Sequence, residues 1–540
     1  MNKLLFVLLL VSTQSFSQVT LTESNLPIVL ITTLPGDTIR DDPRIVCHMG
    51  IIDNGTGIIN NITDPLNDYD GNISIEIRGS TSQQYPKKSY GLETQTDLGE
   101  NNNVSILGMP VENDWILYGP FPDKTCIRNM LTFYLSRAMG NYAPRAVYCE
   151  LVINDDYRGL YMMMEKIKRD DDRVDIATLN DGDISGVDIT GGYVIKVDKT
   201  TGSIADTWPS DYNEEVLFQY HDPAPDELLL VQKTYIQSVV SQFEDAIWGD
   251  DFADPELGYH ALIDKVTFYD FFILQELGRT VDGYRSSSFL HKDRDDVWGG
   301  LLRAGPMWDF NLSYGNADYC DAETITGWQY EFDEVCGPWF SSSIPFWWEK
   351  MLEDDDYSDG LQCRWSTLRE GPLHTDSINN FIDSVAIYIE EGRIRNFERW
   401  EIIGVYVNWN GFVGDTYEED LNFLKSYIEQ RSIWMDANVP GTCWPGLADQ
   451  EAIEPPEKMS RAWPNPFAEF LFIGYTVRTA GDTRIQIHNI NGQLVQEFNQ
   501  GYLAPGNYIK KWEGITVPSG TYVYSIYVND ELLDRNKIVR

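Results

Sequence analysis

Residues 72–90 read Asn72-Ile73-Ser74-Ile75-Glu76-Ile77-Arg78-Gly79-Ser80-Thr81-Ser82-Gln83-Gln84-Tyr85-Pro86-Lys87-Lys88-Ser89-Tyr90. Ile73, Ile75 and Ile77 alternate with Ser74, Glu76 and Arg78, the period of a strand with one apolar and one polar face. The strand runs into a loop of small residues, Gly79 to Ser82, and then into a pair of lysines. A sheet edge that turns through glycine and serine beside lysine is a place where phosphates are held by backbone amides and an ammonium. In a chain this short of basic residues, an exposed basic pair is the plainer alternative.

Outward from this stretch the pattern stays sheet-like as far as residue 200. Ala146–Ile153 and Leu160–Ile167 are expected as two strands joined by the turn Asn154-Asp155-Asp156-Tyr157-Arg158-Gly159, and Gly192–Val197 as another. Lys124–Met139 is the one helical segment there, with Ile127, Leu131, Tyr134 and Leu135 on one side. The character then changes. Ile263, Val266, Tyr269, Ile273 and Leu277 recur at spacings of 3, 3, 4 and 4, and Tyr417, Leu421, Leu424 and Ile428 at 4, 3 and 4, which is helical periodicity; Ser377–Glu390 is a third candidate helix. The expected class is α+β, a sheet-rich lobe over about 70–200 and a helix-rich lobe over about 230–436, with a ligand cleft between them. Residues 18–69 read as a β-rich leader. Residues 444–460, with Pro455-Pro456, read as a linker. Residues 461–540 read as a small all-β, sandwich-like domain, with alternation at Arg484–His488 and Tyr522–Val528.

The ends and the composition narrow the function classes. Lys3 followed by the apolar run Leu4–Val11 and by Ser15-Phe16-Ser17 has the form of a secretory signal peptide over residues 1–17, and no later stretch is apolar enough to span a membrane. Lys and Arg number 41 against 84 Asp and Glu, a net charge of −43; such a chain does not present a basic surface to nucleic acid or to anionic lipid. Seven cysteines contain no C-x-x-C pair and no zinc spacing. In an exported protein they can form disulfides: Cys320 with Cys336 is the expected pair, Cys363 with Cys443 a second, and the odd count leaves at least one thiol unpaired.

Several residue sets could carry chemistry. Lys87 or Lys88 suits a nucleotide's phosphates. Glu165, on the face of Tyr161 and Met163, could orient such a lysine or accept from an adenine amino group, or be solvated edge charge. Asp282, in Gly278-Arg279-Thr280-Val281-Asp282-Gly283-Tyr284-Arg285, falls at the end of a helix, where a carboxylate can take the proton of an attacking hydroxyl. Asp309 and Asn311, in Gly305-Pro306-Met307-Trp308-Asp309-Phe310-Asn311, are two apart and point the same way on an extended chain, a hard-oxygen pair suited to Mg²⁺. The acid runs at 169–173 and 353–360 read as solvated faces that could also hold a structural Ca²⁺, although neither has the spacing of an EF-hand loop. His48, His221 and His291 do not cluster and read as structural or exposed.

These pieces, in this order, resemble the CotH kinase family of secreted, spore-coat-protein-H-like kinases over residues 70–436. The matching segments are Ile77–Ser82 with Tyr85–Tyr90, Asp114-Trp115, Lys124–Asn129, Asn154–Glu165, Val281–Arg285, Gly305–Asp309, Gly315-Asn316, Arg395-Asn396 and Arg399-Trp400. The resemblance implies an atypical protein-kinase-like, two-lobed fold and transfer of the γ-phosphoryl of ATP, with Mg²⁺ or Mn²⁺, to Ser or Thr of secreted or surface proteins. It makes Asp282 the catalytic aspartate, Asp309 and Asn311 the metal residues, and Lys87 or Lys88 part of the phosphate site. Arg128 is similar to a basic position of the family without an assigned role. Two positions depart from the family pattern: Ser286-Ser287-Ser288 replaces a stretch where an Asn is common, and Asn311 a second Asp. In a charge-dominated transfer both departures favour reduced or absent activity. The alternative reading is therefore a catalytically weak kinase-fold protein that binds surface structures, among them carbohydrate, through aromatics such as Trp339, Trp347 and Trp348. Residues 461–540, with Pro464–Phe467, Asn489–Gly492, Pro518–Tyr522 and Lys537–Arg540, resemble the C-terminal sorting domain of the type IX secretion system. That implies an encounter with the type IX machinery and release or attachment at the surface of a Bacteroidota-like bacterium.

Overall fold

A computed structural model describes residues 19–200, 206–337, 342–443, 460–463, 471–477, 481–489, 493–503, 506–512, 517–518, 520–529 and 531–540. The expected signal peptide, Trp339, most of the expected linker and the Pro464–Phe467 segment lie outside them. The chain divides into two compact units, residues 1–450 and 451–540.

The first unit is built on a closed seven-stranded barrel. Its strands follow one another around the barrel as Ile28–Thr33, Ile45–Ile52, Tyr69–Arg78, Ser89–Gln95, Asp114–Tyr118, Asp156–Glu165 and Ala146–Ile153. Every pairing is antiparallel except the last, where Ala146–Ile153 closes the barrel parallel to Ile28–Thr33. Alternation decides what fills it: Ile31, Met49, Ile73, Ile75, Leu92, Leu117, Leu151 and Met163 meet in one core inside the barrel. On the strand Asp156–Glu165 the other parity, Leu160 and Met162, packs outward into the larger helical core, so this strand is apolar on both faces. The segment expected as a β-rich leader over 18–69 contributes two of the seven barrel strands. Strand lengths there are legible in sequence, but a parallel closure between residues 28 and 150 is a long-range event that local pattern does not report.

A five-stranded antiparallel sheet follows, ordered Thr207–Pro209, Leu217–Asp222, Tyr193–Val197, Ser288–Lys292, Leu302–Ala304. Among the described residues the helices are α1 (Arg128–Ala138), α2 (Leu230–Trp248), α3 (Lys265–Gly278), α4 (Phe332–Cys336), α5 (Trp347–Lys350), α6 (Asp355–Arg369), α7 (Thr375–Tyr388), α8 (Glu390–Arg399) and α9 (Tyr417–Asn438). Twelve of the fourteen residues of α3 are buried, among them Asp270 and Glu276, which are paired with Arg364 and Arg431. Cys320–Cys336 and Cys363–Cys443 are both disulfides; Cys47, Cys126 and Cys149 are buried thiols. Trp347 and Trp348, offered above as aromatics for binding surface structures, are instead buried in the helical core at 1% and 3% exposure.

In the acid run 353–360, Glu353, Asp355 and Asp356 are exposed, as on a solvated face, but one acid departs from that reading. Asp354 is buried and caps α6, accepting from the Asp356 amide at 3.0 Å, the Tyr259 hydroxyl at 2.8 Å and His260 at 2.6 Å. Acids at a helix start satisfy its unpaired amides and its dipole, and the sequence pattern of such a run is the same as that of a solvated face. The second unit contains two antiparallel sheets, of three and four strands; Leu471, Ile473 and Tyr475 from one meet Ile485, Ile487 and Tyr524 from the other in a single core.

Candidate functional site

A cavity of about 730 Å³ opens in the first unit where the barrel wall, the five-stranded sheet and two loops meet; Asp282, Asp309, Asn311, Arg78, Lys196 and Asp198 all line it. Each is placed by a local device. Arg78 ends the strand Tyr69–Arg78, and the chain then turns at Gly79 with φ of 105°. A Cβ on Gly79 would sit 2.1 Å from the Ser82 hydroxyl, so only glycine allows the Gly79–Ser82 loop to fold tightly at the cavity's edge. Asp282 lies in the loop after α3, which ends with Arg279 in the left-handed conformation at φ of 43°. The Arg285 guanidinium holds it at 3.3 Å. Arg285 is itself held by the Ser342 hydroxyl at 2.9 Å and the Phe332 ring at 4.2 Å.

Asp309 stands at φ of 66°. Its loop is anchored to the first turn of α1, where the Asn129 side chain accepts from the Phe310 amide at 2.6 Å and Arg128 donates to the Ser313 carbonyl at 3.0 Å. Burial and the negative charge of Asp282 push the Asp309 carboxyl up to about 6, while the Arg78 guanidinium pulls the other way. Arg78 in turn is pushed down by burial and drawn up by Asp309 and Glu76, and lies 5.5 Å from the Trp308 ring. Lys196 pairs with Asp198 at 2.7 Å. His221 is on the same wall, its ring pushed down to about 3 by burial and by Lys196, and so neutral.

The remaining sequence candidates are placed differently. Lys87 borders the cavity, but it is 2% exposed and its ammonium donates to the Leu160 carbonyl at 2.6 Å and the Asn396 side chain at 2.7 Å; burial pushes it down to about 8. The Lys88 ammonium is bonded to the Gln83 carbonyl. Glu165 is fully buried and binds Arg145 through its amide at 2.8 Å and its guanidinium at 2.9 Å, with the Tyr142 hydroxyl at 3.2 Å; it does not reach the cavity wall. Arg128 pairs with Asp123 at 2.6 Å and acts on the site only through the loop it anchors. The structure therefore brings Asp282, Asp309 and Asn311 together and moves the cationic part of the site from the lysine pair to Arg78 and Lys196. Arg78 was visible as the polar end of an alternating strand; Lys196 had no local signal.

Among the described residues no three His, Cys, Asp or Glu side chains cluster closely enough to hold a metal ion alone. The donor set nevertheless fits a hard divalent cation that takes most of its ligands elsewhere. Two carboxylates line the same cavity with their repulsion only partly offset by Arg78, and Asn311 lines it with them. Mg²⁺ is bound in this manner, through one or two carboxylates with substrate phosphates and water completing the shell.

Residues 75–435 match the CotH kinase protein family, and the chain belongs to it. Residues 461–540 match the secretion system C-terminal sorting domain, so the chain carries an address read by secretion machinery. No curated protein matches the chain. No helix among the described residues is long and apolar enough to cross a membrane.

Proposed function

We propose that this protein is a secreted ATP-dependent kinase that transfers the γ-phosphoryl group of ATP to Ser or Thr hydroxyls of extracellular or surface proteins, using Mg²⁺ or Mn²⁺. The observation that carries this reading is the meeting of Asp282, Asp309, Asn311 and Arg78 around one cavity from three separate parts of the chain. Asp282 accepts the proton of the acceptor hydroxyl as its oxygen bonds to the γ-phosphorus and the bond to the β-phosphate oxygen breaks, releasing ADP. Asp309 and Asn311 hold the divalent ion, which when bound neutralises phosphate charge. Arg78 and Lys196 supply positive charge to the phosphates, and the Gly79–Ser82 loop supplies backbone amides. The sorting domain fits an enzyme delivered by type IX secretion to the outside of a Bacteroidota-like cell. The sugar-binding alternative loses its described motivation with Trp347 and Trp348 in the core.

The test is label transfer from γ-labelled ATP to dephosphorylated casein by the full chain with Mg²⁺ or Mn²⁺. Transfer to Ser and Thr is expected, falling by about 10²–10⁴-fold in Asp282→Asn. Absence of transfer with both metals, or transfer indifferent to Asp282→Asn, refutes the reading.

A further inference from the structure

Trp409 stands at the same cavity in an unusual backbone setting. Its φ is 78°, a region that a bulky side chain avoids and that glycine or asparagine fills without strain. Two hydrogen bonds keep it there: its carbonyl accepts from the Asp318 amide at 3.0 Å, and its amide donates to the Tyr406 hydroxyl at 3.2 Å. Tyr406 donates in turn to the Asp318 carboxylate at 2.6 Å. The indole meets Tyr319 edge-on with ring centres 5.3 Å apart. Core packing does not explain the residue, because it is 41% exposed whereas Trp115, Trp347, Trp365 and Trp400 are buried to 2% or less. A strained, half-exposed aromatic kept rigid at a cavity is a surface retained for contact.

Its position says contact with what. Trp409 and Tyr319 line the cavity together with Asp282, and the Tyr319 hydroxyl feels the Asp282 charge. Asp309 also feels Asp282, but its other charged neighbours, Arg78, Asp198 and Lys199, are not shared with Tyr319, and Arg78 and Lys199 among them are the cations suited to phosphates. The aromatic pair therefore belongs to the side of the hydroxyl that is to be phosphorylated.

We propose that Trp409, backed by Tyr319, is the acceptor shelf of this site: it receives the residue that flanks the target Ser or Thr in an extended polypeptide, a side chain with a broad apolar face, and so sets acceptor specificity. This rests on the phosphoryl-transfer reading and adds the substrate class to it. Stacking on a rigid indole supplies apolar contact at small entropic cost, and it orients the neighbouring hydroxyl toward Asp282.

The experiment is steady-state transfer to serine peptides in which the flanking residue is Leu, Pro, Phe, Gly or Asp, with the full chain, ATP and Mn²⁺. The wild type is expected to favour Leu, Pro and Phe. Trp409→Gly is expected to raise KM for those peptides at least tenfold and to flatten the preference, with KM for ATP unchanged and the thermal midpoint unchanged or higher because backbone strain is relieved. Trp409→Phe retains most of the preference. A wild type that transfers with no flanking preference, a silent Trp409→Gly, or a Trp409→Gly that lowers the midpoint and weakens ATP equally overturns the proposal while leaving phosphoryl transfer in place. A wild type that transfers to no peptide and not to casein overturns both.

Discussion

At the scale of single residues, Asp309 shows how a site is set against stability. Its carboxyl is pushed up to about 6 by burial and by Asp282, above its value in an unfolded chain. Such a group is harmless at low pH, where both states hold the proton. As pH rises through the folded value, the unfolded chain alone can ionise freely, and stability is lost. Asp309→Asn is therefore expected to be more stable than the wild type at pH 7 by about 1–2 kcal/mol after allowance for its partial exposure, with the gap closing below about pH 4. On the proposed function, Mg²⁺ with ATP is expected to raise the thermal midpoint of the wild type and not that of this variant. Thermal melts at pH 4 and 7, with and without Mg²⁺ and ATP, check both expectations. Asp282, Asp309 and Asn311 were legible in sequence because their chemistry is concentrated in short segments. Lys87 was not, because a lysine beside a glycine-rich loop looks the same whether its ammonium faces a phosphate or, as here, the Leu160 carbonyl.

At the scale of elements, α8 and the strand Asp156–Glu165 form a clamp made from motif residues that are structural. Asn396 accepts from Lys87 at 2.7 Å and from the Leu160 amide at 3.2 Å, Arg399 donates to the Tyr157 carbonyl at 3.0 Å, and Trp400 donates to the Arg158 carbonyl at 2.8 Å. Gly159, at φ of 106°, lets the helix come this close, since a Cβ there would meet Asn396 at 2.5 Å. Arg395 reaches the fully buried Glu150. A second link joins α3 and α9: Arg431 and Glu276, both fully buried, pair at 3.2 Å, and Glu276 also accepts from the Gln329 and Tyr330 amides at 2.7 and 3.1 Å. Burial pushes the Glu276 carboxyl up while Arg431 draws it down, so removing the arginine strands an unpaired acid. Arg431→Leu is expected to cost about 3–5 kcal/mol in denaturant unfolding, and Arg431→Leu with Glu276→Gln less than Arg431→Leu alone. The helix α2 shows a signal that was present and overlooked: Ile236, Val240, Phe243 and Ile247 recur at 4, 3 and 4 and are all buried, but the exposed Leu229, Leu230 and Val231 that precede them blur the stripe.

At the scale of the whole first unit, two histidines make the fold sensitive to acid. His221 and His291 are each pushed down to about 3, chiefly by burial, with Lys196 beside the first and Arg303 beside the second. Their folded values lie below the unfolded one, so their contribution is complete above about pH 6.5 and is lost as pH falls, because the unfolded chain takes up the protons. Urea unfolding from pH 7 to pH 5 is expected to show a loss of about 2 kcal/mol per histidine, halved in His291→Asn, whose amide can replace the ring's bond to the Gly305 carbonyl at 3.1 Å. An acid profile unchanged in that variant would place the sensitivity elsewhere. The sequence by itself determined the α+β class, a strand from about residue 72 to 78, the strands within 146–165, the helices α1, α3, α7 and α9 and the short segments that carry the acids of the site, since each follows from local periodicity or from side-chain chemistry within a few residues; the two cysteine pairs, 16 and 80 positions apart, were expectations that the fold bears out. Only the tertiary structure decided that residues 28–52 close a barrel with 146–153, that the lysine pair is occupied elsewhere, and that Arg78, Lys196 and Trp409 share a cavity with Asp282. Those facts depend on contacts between residues tens to hundreds of positions apart, and burial turns the same side chain into a partner or a bystander according to what the fold sets opposite it.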